Sequence, residues 1–79
     1  MDKKITELTL LLLYITSWKE DDLPNDMRRS WKGYPFEALN DLMDQDFIRG
    51  SYKAKSTYLT EEGIKEAEKL VEKYLSDDK

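Results

Sequence analysis

Arg28, Arg29 and Lys32 fall within five residues, beside Trp31 and Tyr34. Cations interleaved with aromatic rings suit nucleic acid: Arg and Lys hold phosphates, and rings stack on bases or lie against sugars. Arg49, Lys53 and Lys55 follow and extend the set. The competing reading is structural: Trp31 and Tyr34 pack in a core, and the cations pair with the acids of the loop before them. From Arg28 to Lys55 six basic residues face four acidic ones, whereas the whole chain carries −4. The middle is therefore mildly basic on an acidic molecule, a pattern that fits either a polyanion site or an ordinary solvated surface.

Other chemistry is poorly supplied. The chain has neither His nor Cys, which removes the commonest general base, the commonest transition-metal ligand and any thiolate site. Asp41, Asp44 and Asp46 fall on the outer face of a predicted helix, where paired-carboxylate catalysis lacks the distinct, partly buried environments it needs. Ser17, Ser30 and Ser56 have no histidine to activate them. Three scattered glycines build no phosphate cradle. The acidic loop from Glu20 to Asp26 lacks the alternating ligands, central Gly and closing Glu of a calcium loop. The expectation is a protein without catalytic residues, metal or cofactor.

These residues need a frame. Seventy-nine residues make one domain, spanning 1–79. The first element is a helix from about Lys3 to Lys19, capped by Asp2. Ile5, Leu8, Leu11, Leu12, Ile15 and Trp18 form one broad face, and Leu10, Leu13 and Tyr14 fall opposite. A helix apolar nearly all round must be covered on both sides. Its spare side is either wrapped by the rest of the chain or shared with another molecule. Leu10, Leu13 and Tyr14, together with Leu70, Tyr74 and Leu75 of the last helix, are the candidate interface of a two-fold homodimer. The apolar run is too short to span a bilayer, and the charged start does not read as a signal peptide, so a cytoplasmic protein off the membrane is expected.

Pro24 and Asn25–Asp26 break the pattern, and Met27 to Trp31 is predicted as a short helix or loop. Gly33 and Pro35 break it again. A helix from about Pro35 to Gln45 then buries Phe36, Leu39, Leu42 and Met43. Phe47 to Thr60 reads as two short β segments, about Phe47 to Tyr52 and Ser56 to Leu59. Thr60 caps the last helix, with Glu61 and Glu62 in its first turn. Its face carries Ile64, Ala67, Val71, Tyr74 and Leu75, with Leu70 alongside. The tail at about 76–79 is expected to fray.

The order is helix, short helix or loop, helix, β-hairpin, helix, which gives an α+β, mostly helical fold. FEALNDLMDQDFIRGS and STYLTEEGIKEAEKL resemble the later part of winged helix-turn-helix domains of the MarR and PadR kind. There a recognition helix runs into "LxxLxxxGLI", matched here by Leu39, Leu42, Phe47 and Ile48. A wing follows, and "YxLTxxG" opens the closing helix, matched by Tyr58, Leu59, Thr60 and Gly63. The resemblance covers about Phe36 to Tyr74. It implies a winged-helix-like fold, double-stranded DNA as partner and a transcription-regulatory role. The departure is charge: the helix in the recognition position exposes Glu37, Asp41, Asp44 and Asp46, and carboxylates repel phosphate. The alternative is a protein–protein module on a winged fold that has lost DNA binding. SWKGYPF joined to YLTEEGIK is also similar to a family of short bacterial proteins of unknown function.

Overall fold

A computed structural model describes residues 2–21, 23, 27–50 and 54–75. Lys53, the rest of the acidic loop and the tail at 76–79 lie outside the described residues. The elements are α1 (Lys3–Ile15), β1 (Arg28–Trp31), α2 (Phe36–Asp44), β2 (Ile48–Arg49), β3 (Ser56–Leu59) and α3 (Glu61–Leu70), followed by a π-helical turn (Val71–Leu75). The three strands form one antiparallel sheet in the order β1-β3-β2. The fold is a small α+β domain.

One face of the sheet meets the helices. Successive strand residues point to opposite faces, so Ser30, Ile48, Thr57 and Leu59 turn inward and are buried. They join Leu10, Leu11 and Leu13 of α1, Leu39 and Leu42 of α2, and Ala67 and Leu70 of α3 in the core. Each large aliphatic residue here adds about 2 kcal/mol by the area it removes from water. Buried hydroxyls are satisfied: Thr57 Oγ1 donates to the Arg49 carbonyl at 2.6 Å, and Ser30 Oγ lies 3.3 Å from Thr16 Oγ1.

The face of α1 that enters the core is mostly the one opposite to the broad face read from sequence, of which only Leu11 is buried. Thr6, Thr9, Leu10, Leu11 and Leu13 are buried, while Ile5, Leu8, Leu12 and Ile15 stay exposed. Both sides of α1 are apolar, so periodicity does not say which one α2 and α3 will cover. The threonines can enter because their hydroxyls find local acceptors; Thr9 Oγ1 donates to the Ile5 carbonyl at 2.8 Å. Leu10, Leu13 and Leu70 are consequently core residues of a single chain and offer no dimer face. Tyr14 and Tyr74 pack half-buried beside them, and only Leu75 of the expected interface is exposed. The helix also stops at Ile15, four residues early, because Trp18 leaves it to bridge to Arg29.

Arg28–Trp31 is a strand where a short helix was predicted. Four residues between two breakers cannot repay helix nucleation, whereas the free edge of β3 offers a ready ladder. The register pairs Arg28 with Leu59, Arg29 with Tyr58, Ser30 with Thr57 and Trp31 with Ser56. In α2, Ala38, Leu39 and Leu42 are buried and Met43 packs on the core, but Phe36 in the first turn is 61% exposed.

The turn after α2 sets the sheet against α3. Gln45 caps the helix, and Asp46 follows in the left-handed region at φ 67°. Asp46 N–H then donates to the Met43 carbonyl and Phe47 N–H to the Leu42 carbonyl, both at 3.0 Å. These are the two bonds of a Schellman stop, with Asp in the place where Gly is commonest. Thr60 clamps this turn. Its hydroxyl accepts the Gly63 N–H at 3.0 Å and donates to the Asp46 carbonyl at 2.6 Å, while its N–H donates to the Phe47 carbonyl at 3.0 Å. Thus the YLTEEG stretch caps α3 and ties it to the end of α2.

Candidate functional site

The other face of the sheet carries the candidate site. Residues paired across strands share a face. Trp18 pairs with Arg29, Arg29 with Tyr58, and Tyr58 with Arg49. One row across the sheet therefore reads Trp18, Arg29, Tyr58, Arg49, aromatic and cationic in alternation. Trp31 and Ser56 form the next row.

Side-chain contacts fix this surface. The Arg29 guanidinium lies 5.9 Å from the Tyr58 ring centroid, and its Nη1 donates to Ser56 Oγ at 3.1 Å. Glu20 approaches Arg29 Nε at 3.7 Å and also accepts the Trp18 indole N–H. The rings of Trp18 and Trp31 sit 5.3 Å apart, tilted by 47°. Trp31 is nevertheless 62% exposed. At its end of the sheet the Lys32 N–H donates to the Lys55 carbonyl at 3.0 Å, which holds two basic residues together. At the other end Arg49 is clamped by Asp46 through two bonds, 2.9 and 3.0 Å. That fork lowers the Asp46 carboxyl below its ordinary value and raises the Arg49 guanidinium above its own.

The set expected from sequence is partly assembled and partly divided. Arg29 and Arg49 share the open face, and Lys32 and Lys55 meet at its edge. Arg28 does not join them. Strand alternation turns it the other way, where its Nε donates to Ser17 Oγ at 2.6 Å and its Nη2 to the Ser17 carbonyl at 3.0 Å. It lines a shallow cleft with Tyr14, Glu61, Ile64 and Glu68. A helical reading of this segment kept the two arginines together; a strand separates neighbours by design of the backbone. Trp31 is not a core residue, whereas Tyr34 does pack against the core. Trp18 and Tyr58 were missed, because their membership depends on register. The signal in the sequence was the alternation RRSW opposite STYL.

The acidic groups of α2 differ in their surroundings. Asp41 accepts a hydrogen bond from Thr6 Oγ1 at 3.2 Å across the α1–α2 contact, and Asp44 is exposed. Among the described residues no cluster of three or more His, Cys, Asp or Glu has the arrangement to hold a metal ion. Nor is any described helix long and apolar enough to cross a membrane.

Fold and surface together define a small α+β domain whose outer sheet face is aromatic and cationic, with Trp31 and Arg49 exposed and Trp18, Arg29 and Tyr58 half-buried. The chain belongs to the family described as Domain of unknown function (DUF6429), whose model matches residues 1–77. No curated protein and no solved structure matches it.

Proposed function

We propose that the protein is a winged-helix-like, non-enzymatic nucleic-acid-binding protein that uses the open sheet face as its contact surface. The chain order α1–β1–α2–β2–β3–α3 supports the winged reading, with β1 standing where a first helix of the helix-turn-helix would be. The observation that carries the functional part is the alternating row Trp18, Arg29, Tyr58, Arg49 beside an exposed Trp31.

The preferred ligand is unpaired nucleic acid rather than a duplex. Inserting α2 into a groove would bring Glu37 and Asp44, both exposed, against phosphates. The sheet instead offers the exposed Trp31 ring, with Trp18 and Tyr58 half-buried beside it, and base stacking on an aromatic side chain is worth about 1–3 kcal/mol per base. Glu20 and Asp46 already neutralise Arg29 and Arg49 in part. Stacking therefore contributes more than phosphate pairing, and salt dependence is shallow.

The test is an amide NMR titration with a mixed-sequence single-stranded oligonucleotide, repeated with the same sequence as duplex, at low and high salt. Shifts confined to Trp18, Arg28–Lys32, Ile48–Arg49 and Ser56–Leu59, stronger for the single strand, are the expected result. Trp31→Ala combined with Arg29→Glu removes them. Shifts on α2, or unchanged affinity in the double variant, refute this surface. Complete absence of shifts refutes nucleic-acid binding and favours a protein ligand.

A further inference from the structure

We propose that the outer face of α1 is an interface with a second copy of this chain, paired antiparallel about a two-fold axis. Between Ile5 and Ile15 the exposed residues of α1 are Ile5, Leu8, Leu12 and Ile15, and all are aliphatic. They are 42, 37, 42 and 50% exposed, so the helices and sheet of the same chain leave them open. Single exposed leucines are ordinary, but a continuous stripe on one helix face marks an association surface.

The pattern selects the occupant. Steps of three, four and three residues form the narrow seam by which two helices interdigitate. The stripe is also a palindrome, Ile-Leu-Leu-Ile, with the same spacings read in either direction. A two-fold axis near residue 10 places Leu8 beside Leu12 of the second copy and Ile5 beside its Ile15. Like-sized side chains thus repeat across the axis, as an isologous contact requires.

Charge selects the direction. The first turn of α1 holds Lys3 and Lys4 and no acid, although this is the positive end of the helix; the last turn holds no cation. Antiparallel pairing brings each lysine pair to the negative end of the other helix. Parallel pairing stacks lysines on lysines and positive ends together. A lipid surface is a poorer occupant, because a chain of net charge −4 is repelled by anionic headgroups.

The stripe buries on the order of 600 Å² of aliphatic surface over two copies, below the size of permanent interfaces, so the dimer is weak. Sedimentation equilibrium should show the mean mass rising from 9.4 kDa towards twice that value between roughly 10 μM and 1 mM. Leu12→Glu, at an exposed position, keeps the folded circular-dichroism spectrum and weakens association at least about tenfold. Because the chain has no cysteine, Lys4→Cys accepts a single nitroxide. Mixed with isotope-labelled wild type, it should broaden amides around Leu12–Thr16 of the second copy. Broadening around Lys4–Leu8 instead overturns the antiparallel arrangement. A constant 9.4 kDa at 1 mM, or a Leu12→Glu affinity within about twofold of wild type, overturns the interface itself. A monomer that binds anionic vesicles only with the stripe intact overturns it in favour of lipid.

Discussion

Gly63 is the position at which backbone propensity and tertiary packing predict opposite signs. It lies three residues after the Thr60 cap, inside α3. Replacing an exposed helical Gly with Ala gains about 1 kcal/mol. Here a Cβ would stand 2.0 Å from the Phe47 carbonyl oxygen, 2.8 Å from its carbon and 3.0 Å from its Cα. All three atoms are backbone, in the turn that Thr60 clamps, so no side chain can swing away. Relief requires α3 to move off the turn by about 1 Å, and overpacking of that kind costs about 1–3 kcal/mol or more. The movement also lengthens the bonds from Thr60 to the Asp46 and Phe47 carbonyls, each worth about 1 kcal/mol. Against the propensity gain, the net expectation for Gly63→Ala is a loss of about 2–4 kcal/mol. For a chain of this size that lowers Tm by roughly 10–25 °C. Urea unfolding followed by circular dichroism measures it directly. A Gly63→Ala chain as stable as wild type, or more so, would refute the close approach of α3 to Phe47 and leave propensity as the only operative term.

Three further outcomes follow from the surface. Trp31→Ala should leave the urea midpoint nearly unchanged, since the ring is mostly in solvent, yet weaken single-strand binding about 5- to 100-fold by fluorescence anisotropy; an equal loss of stability would make Trp31 structural. Asp46→Gly should keep or raise stability by relieving the left-handed residue, and should strengthen oligonucleotide binding by releasing Arg49; weaker binding would count against Arg49 as a contact. Glu7 gives the pH dependence: its carboxylate accepts bonds from the Tyr74 hydroxyl at 2.8 Å and Lys73 Nζ at 3.1 Å, which lower its pKa below the ordinary 4.5. A depressed folded-state pKa adds stability that is present above the unfolded value and is lost as pH falls through the folded one. Wild type should therefore lose more stability than Glu7→Gln between roughly pH 5 and pH 3, and parallel curves would remove Glu7 as the fastener of the π-helical turn.

The closing half of the chain was legible because its signals are local. Thr60 is the cap of α3, Glu61 and Glu62 occupy its first turn, and Ala67 and Leu70 lie on its buried face, as a short-range reading of YLTEEGIKEAEKL requires. Leu39 and Leu42 likewise mark the inner side of α2. The opening half was not legible in the same way. LTLLLLYITSW states that α1 is apolar on two sides, but the choice of Leu10 and Leu13 over Leu8 and Leu12 belongs to the elements that dock on it. RRSW carries no strand signal strong enough to stand alone; it becomes β1 because β3 presents an open ladder of backbone donors and acceptors 25 or more residues away. That pairing then separates Arg28 from Arg29 and gathers Trp18, Arg29, Tyr58 and Arg49 into one row. The sequence by itself determined caps, breaks and helical periods, which depend on neighbours within one turn. The tertiary structure decided which apolar face is core and which residues make the open sheet face, because both depend on contacts made across the whole chain.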